Sequence, residues 1–399
     1  MSEWKRYKLG ELLSIKHGWA FKSENYVKDS KTALVTLRNI SEDSRFVFDA
    51  DKTTYYGGEY PEEYMLSEGD LIIPLTEQVI GLLGNSAFVP LFNDIKFVLN
   101  QRVGKVQEKH EKIDKIFLKY LLSTTTVRTQ MEYRANGTKQ RNISPKDIYD
   151  IEVYIPELDK QKHIGRILYN LDNKIQINNQ INQELEAMAK TLYDYWFVQF
   201  DFPDQNGKPY KSSGGKMIYN QELKREIPEG WGVTRLDQLQ IATGKRDANF
   251  GTENGKYDFW TTANSPIKAD EFSFEGKAIL IAGNGNFYVN FTDGKFEAYQ
   301  RTYVIQSEDE KMLIFMYMAC LQSAEKLRKA SNGSIIKYIT IGDVNNIASP
   351  YNKKVVDDFV KIYSPLIDLI SKNKRKNQQL TQLRDWLLPM LMNGQVKII

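Results

Sequence analysis

The feature that most restricts how this chain can fold is the stretch 160–197, KQKHIGRILYNLDNKIQINNQINQELEAMAKTLYDYWF, which has no proline and one glycine. Ile164, Ile167, Leu171, Asn178, Ile181, Leu185, Met188, Leu192 and Tyr195 follow in steps of three and four, with Lys174 filling the one gap. That spacing predicts a long amphipathic helix whose apolar stripe must meet a partner helix. At 1.5 Å per residue it would be roughly 55 Å long. The chain supplies a partner itself. The stretch 359–392, FVKIYSPLIDLISKNKRKNQQLTQLRDWLLPMLM, aligns with the first at an offset of 195 positions. Ile167 falls on Ile362, Leu171 on Leu366, Ile175 on Ile370, Leu185 on Leu380 and Leu192 on Leu387; these are the expected seam of a helix pair. Asn178 and Asn182 fall on Asn373 and Asn377. Asn buried in such a seam costs stability but sets register and partner number; the alternative is that these residues are solvated. Pro365 is expected to kink the second helix near its start.

The helix repeat belongs to a larger one. Trp4 opens WKRYKLGELLSIKHG and Trp231 opens WGVTRLDQLQIATGK, each read as a short strand, a Leu and a helix turn closing on Gly18 or Gly244. FVLNQRVGKVQ at 97–107 matches FEAYQRTYVIQ at 296–306, placing Gln101-Arg102 over Gln300-Arg301 on predicted strands. An apolar helix follows in each copy (116–122; 313–321), then Asn136-Gly137-Thr138 or Asn332-Gly333-Ser334, then a strand-like run ending at Pro156 or Pro350. Between the opening Trp and the Gln-Arg pair the two copies differ in length and share no recognisable sequence. Like frames with unlike fillings suggest two modules doing one job on different targets. The expected boundaries are 1–157 and 231–350 for the globular domains, 158–198 for the central helix, 199–230 for a Pro/Gly/Ser/Asn-rich connector, and 351–399 for the second helix and tail. The expected fold is α+β: two mixed α/β globular domains joined by two long antiparallel coiled-coil helices, with pseudo-two-fold symmetry. On that expectation the two domains sit at opposite ends of a rod.

Composition narrows the function by exclusion. With 399 residues, two or three domains are expected. The formal net charge of +3 is mild, so any nucleic-acid surface must be local. The one cysteine, Cys320, lies in an apolar helix-like run and reads as a core residue. No signal-peptide pattern and no membrane-length apolar run is present, so a cytoplasmic protein is the expectation. There is no GxxxxGK[ST] phosphate loop, and His17, His110 and His163 lack neighbours at metal-ligand spacing. There is no Asn/Asp-Pro-Pro-aromatic stretch of the kind that holds a flipped base for methylation. Gly283-Asn284-Gly285 could cradle a ligand but reads better as a turn. The residues argue for a non-catalytic binder, with no catalytic, metal or cofactor site in this chain.

Two modules on a stiff spacer suit a long repetitive ligand such as DNA. The polar loops NGTKQRNIS and NGSIIKYIT are candidate contacts, since Asn, Gln, Lys and Arg read base edges and hold phosphates. The candidates are Asn136, Thr138, Lys139, Gln140 and Arg141 in the first copy and Asn332, Ser334 and Lys337 in the second. An ordinary polar hairpin explains the same composition. Gln101, Arg102, Gln300 and Arg301 are further candidates, with structural pairing as the alternative. The basic run 373–377 reads as the wet side of the second helix. A coiled-coil protein–protein adaptor without DNA reading is the competing function, but it leaves the two unlike domains unexplained.

Three stretches carry a resemblance to a known family: FVQFDFPDQNGKPYKSSGGKMIYNQELKREIPEGW in the connector, LDNKIQINNQINQELEAMAKTLYDYWF before it, and LRDWLLPMLMNGQV near the end. The chain resembles the specificity (DNA-recognition) subunit of type I restriction-modification enzymes over nearly its whole length. It departs where each helix begins: IPELDKQKHI and SPYNKKVVDDF stand in place of a Pro-Pro-Leu-x-Glu-Gln type run, with only Gln161 clearly retained. The resemblance implies two target-recognition domains, each reading one half of a split double-stranded DNA site, and helices that set the unread gap. It also implies two methyltransferase subunits that bind S-adenosylmethionine and modify adenine, and motor-nuclease subunits that use ATP and magnesium where the system restricts. A methylation-only system needs the same subunit.

Overall fold

A computed structural model describes residues 4–78, 80–92, 94–253, 255–330 and 338–396. The chain divides into two units, Met1–Ile177 with Asn377–Ile399, and Asn178–Lys376. Each unit therefore contains one globular domain and a part of each long helix.

In the first unit the run LIIP (Leu71–Pro74) is buried at every position, as a continuous apolar run in a central strand should be. It lies in a four-stranded sheet ordered Leu13–His17, Val103–Glu108, Leu71–Pro74, Ala87–Phe88. A second sheet runs Tyr26–Val27, Tyr55–Tyr56, Thr32–Val35, Lys96–Leu99, and its last two strands are parallel. Lys5–Lys8 pairs antiparallel with Glu152–Ile155, which brings the first strand of the unit to the strand that enters the long helix. Two helices, Lys115–Leu122 and Thr125–Arg134, are separated by Ser123 and Thr124, and the Thr124 hydroxyl caps the second by accepting from Val127 N–H. Leu9, Leu12, Val106, Phe117, Leu118 and Leu122 form the centre of the core.

The second unit repeats this plan. Gly232–Arg235 pairs with Ala348–Tyr351, and the inner sheet is ordered Gln240–Thr243, Thr302–Gln306, Ala278–Ala282, Val289–Thr292. Its other sheet again contains one parallel pair, Tyr257–Trp260 with Lys295–Ala298, between Ile267–Ala269 and Phe274–Glu275. The helix Glu310–Ala330 replaces the broken helix of the first unit. The segment 199–230 is ordered: Met217–Asn220 and Arg225–Pro228 form a hairpin, and Phe202 stacks on Tyr210 at 4.8 Å. Phe200, Phe202, Ile227 and Trp231 belong to the unit's core. Its turn-forming residues make tight turns, and a few large side chains do the packing, each contributing about 1.5–3 kcal/mol on full burial.

The first long helix spans Leu158–Tyr193 and ends in a π-helical turn, Asp194–Val198. The second spans Lys353–Met392 and runs without a break through Pro365 and Pro389. Within the first unit, Ile175 and Asp172 of one helix meet Asn377 and Arg384 of the other, an antiparallel pairing. Within the second unit, Asn182 and Tyr193 meet Asn373 and Phe359, again antiparallel. Ile175, Asn178, Asn182, Ile370 and Asn373 are buried, while Leu171, Leu185, Leu192, Leu366, Asn377, Leu380 and Leu387 are half-buried. Asn373 Nδ2 donates to Asn182 Oδ1 at 2.9 Å, so these two Asn are paired rather than solvated.

Half of the expected stripe needs correcting. Ile181, Met188 and Tyr195 are exposed, and so is Ile362; Ile167 packs at the edge of the first unit's core. The buried line runs instead through Leu168, Ile175, Asn182, Ala189 and Trp196, one position further on, and in the second helix Tyr363 replaces Ile362. The two lines are neighbours on the helix, and both are largely apolar. The line through 174 would bury an unpaired lysine, whereas the line through 175 buries an isoleucine. The rejected line remains as a second apolar stripe on the outside, with Ile181, Met188, Ile362 and Leu369 in the second unit and Leu383 in the first, where Ile177 and Trp386 are also exposed.

Candidate nucleic-acid interface

Gln101-Arg102 and Gln300-Arg301 do not lie on strands. Each pair forms the exposed tip of a tight turn, between Lys96–Leu99 and Val103–Glu108 in one unit and between Lys295–Ala298 and Thr302–Gln306 in the other. The strands end there because the backbone bonds turn inward. Val103 N–H donates to Asn100 O at 2.9 Å, and Thr302 N–H to Tyr299 O at 2.8 Å. Gln101 N–H donates to Trp19 O, and Gln300 N–H to Arg246 O, both at 2.9 Å. Leu75 N–H donates to Arg102 O at 2.9 Å, and Gly283 N–H to Arg301 O at 2.7 Å. Gly18 and Gly244 make the close approach possible: a Cβ on Gly18 would lie 2.1 Å from Asn100 O, and one on Gly244 2.2 Å from Ala298 O. The strand that precedes each glycine follows a short helical turn, so the turn itself does not close on the glycine as expected.

The segments that hold Ile143 and Ile339 are each joined to these turns through one residue. Leu75, which donates to Arg102 O, accepts from Ile143 N–H at 3.0 Å; Gly283, which donates to Arg301 O, accepts from Ile339 N–H at 2.9 Å. In the first unit Asn136 and Asn142 exchange two backbone hydrogen bonds at 2.9 and 2.8 Å, with Gly137 at φ +120° completing the bend. Asn136, Thr138 and Lys139 are exposed, and Gln140 Nε2 donates to Asn142 Oδ1 at 3.3 Å. Arg141 departs from the expectation. Its guanidinium lies 3.2 Å from Glu77 Oε1 and also donates to the Glu132 carbonyl. Glu77 is buried, and its other oxygen accepts from the backbone N–H groups of Gly81, Leu82 and Leu83 at 3.1–3.2 Å. Arg141 thus neutralises a buried acid and is not free to read a base. Asn332, Ser334 and Lys337 lie outside the described residues. Gly283-Asn284-Gly285 forms a turn, with Gly285 at φ +75°. In the run 373–377, Asn373 is buried, Lys374 faces Glu186 at 3.5 Å, and Arg375 and Lys376 are exposed.

Among the described residues, no group of three or more His, Cys, Asp or Glu side chains could hold a metal ion. No helix among them is long and apolar enough to cross a membrane. Cys320 is fully buried, and burial pushes its thiol well above the ordinary range. The first unit does hold a polar cluster beside a cleft of about 540 Å³. Asp172 accepts from Lys119 at 3.1 Å, from Tyr120 OH at 2.7 Å and from Arg384 at 2.8 Å. Burial pushes the Asp172 carboxyl up, but Lys119, Arg384 and Tyr120 together outweigh it and hold the carboxyl below the usual carboxylate range. Burial takes the Lys119 ammonium below the usual lysine range against the pull of Asp172. At the offset of 195 the second unit has Ile314, Phe315, Ile367 and Ala189 in these places, all in its apolar core.

The family model for the type I restriction modification DNA specificity domain matches residues 1–187 and again 228–382. The chain belongs to this family. A type I restriction enzyme MjaIX specificity subunit from Methanocaldococcus jannaschii is 26% identical over 312 residues, covering 71% of this chain and 69% of that protein. The EcoDI specificity subunit from Escherichia coli is 33% identical over 183 residues, covering 43% of this chain and 40% of that protein. The crystal structure of a type I restriction-modification S subunit from M. genitalium matches with a TM-score of 0.56 at 16% identity, covering 97% of this chain and 96% of that one. The two matched specificity domains each carry one Gln-Arg turn.

The sequence reading missed Trp19. Its side chain is 40% exposed and rests on Tyr64 with ring centroids 5.3 Å apart, while its carbonyl supports the Gln101 N–H. The available signal was its position directly after Gly18. Arg246 supports Gln300 in the other domain but is held by Glu271 and Glu297 at 2.6 and 3.2 Å.

Proposed function

We propose that this chain is the DNA sequence-recognition subunit of a type I restriction-modification complex, and that each specificity domain reads one half of a bipartite, asymmetric site. The observation that carries this is the duplicated Gln-Arg turn, built by equivalent backbone bonds in two domains that share a frame but have unlike sequences between the opening Trp and that turn. A common frame positions each domain on the duplex, and the unlike loops around it supply different base contacts. The candidates for those contacts in the first domain are Asn136, Thr138, Lys139 and Gln140. The long helices set the unread gap between the half-sites.

The second apolar stripe supports docking of other subunits. Ile181, Met188, Ile362 and Leu369 in one unit, and Ile177, Leu383 and Trp386 in the other, are large apolar side chains on helices whose seam is already occupied. Amphipathic helices of two methyltransferase subunits would cover them. Those subunits would bind S-adenosylmethionine and methylate adenine; in a restricting system, motor-nuclease subunits would supply ATP- and magnesium-dependent cleavage. This chain would contribute recognition and no catalysis.

Mapping methylated adenines in the host tests the reading. The expected result is two short specified blocks separated by a fixed run of unspecified bases. A single continuous site would contradict it.

A further inference from the structure

We infer that Arg102 and Arg301, at the tips of the two Gln-Arg turns, are sequence-independent phosphate anchors, one for each half-site. This rests on the proposed DNA-reading role and assigns within it which residues position and which discriminate. The two domains would read different sequences, so a residue they share in the same place cannot carry the difference between them. The shared part of the frame needs only backbone: glycine at 18 and 244, and the N–H and carbonyl groups already described. It does not need the Gln and Arg side chains. All four are exposed, and among the described residues none has a hydrogen-bond or ion-pair partner for its side chain. Arg141 and Arg246 nearby are each tied to acids, so an unpaired guanidinium at both tips is not the local rule. An exposed cation on a rigid tip, repeated in both readers, is suited to a ligand charge that every sequence presents, which is the phosphate backbone.

The test uses the full chain assembled with its methyltransferase subunits. The probes are a duplex carrying the mapped site and the same duplex with both half-sites scrambled. Arg102→Ala and Arg301→Ala should each weaken both duplexes by the same factor. Each should reduce the slope of log K against log salt by about one, and the double variant by about two. Base preference at every position should be unchanged. Arg102→Lys should restore the slope, and Gln101→Ala should weaken binding without altering it. The exposed positions should leave the melting temperature unmoved. A changed base preference at either half-site, or an unchanged slope in both Arg→Ala variants, would overturn the assignment. If the unsubstituted assembly did not distinguish the mapped from the scrambled duplex, the DNA-reading role itself would fall. Discrimination with unaffected Arg→Ala variants would sink this assignment alone.

Discussion

Lys119, Tyr120, Asp172 and Arg384 form a largely buried ionic cluster in the first unit, and the second unit shows that the fold does not require it. The same places hold Ile314, Phe315, Ile367 and Ala189 there, packed in an apolar core. Buried ionic clusters are often no more stable than well-packed apolar sets of similar volume, but removing one member leaves the others uncompensated. Asp172→Asn should therefore destabilise the chain by about 3–5 kcal/mol, measured by urea unfolding at neutral pH. The fourfold exchange to Ile, Phe, Ile and Ala at 119, 120, 172 and 384 should be neutral or stabilising by about 1–4 kcal/mol. The pH dependence has a definite sign. The Asp172 carboxyl lies below its unfolded value of 3.8, so its contribution is complete above that value and is lost as the pH falls through the folded value. The stability gap between the wild type and Asp172→Asn should close as the solution is acidified through that window.

At the scale of single elements, periodicity named the two long helices as partners but misplaced one of the two buried lines. Both lines are apolar enough to qualify, and only the pairing of Asn182 with Asn373 and the exclusion of Lys174 chooses between them. Replacing Asn182 and Asn373 together by Leu should raise the melting temperature and relax register and partner number, seen as mixed oligomers by light scattering. The Gln-Arg pairs were legible as a repeated motif, yet their place at turn tips was not. A turn there depends on glycines more than fifty residues away, at 18 and 244. Alanine at either glycine would drive a Cβ into a carbonyl oxygen and should cost at least about 1–3 kcal/mol, with the loss visible in urea unfolding. Arg141 shows the converse error. Its composition suggests base reading, while the buried Glu77 that claims it lies on a different strand.

For the whole molecule, the prediction concerns the gap between half-sites. If the long helices set it, seven residues inserted after Ile175 and seven after the matching Ile370 preserve the heptad spacing of the seam. They add about 10 Å of helix. The methylation pattern of that variant should keep both half-sites and lengthen the unspecified run by about three base pairs. An unchanged gap with intact half-sites would mean that something other than helix length spaces them.

The amino-acid sequence by itself determined the duplication, the two long amphipathic helices, the shared Gln-Arg and Asn-Gly motifs, and a family resemblance that the specificity-domain match bears out. Each of these is local, a matter of spacing along the chain or of identity between two stretches. The tertiary structure alone decided which apolar line is buried, that Arg141 serves Glu77, that 199–230 packs into the second unit's core, and that the Gln-Arg pairs stand at exposed tips. Those outcomes depend on groups far apart in the chain meeting in one place. There, desolvation, hydrogen-bond satisfaction and close packing choose among arrangements that local pattern leaves equal.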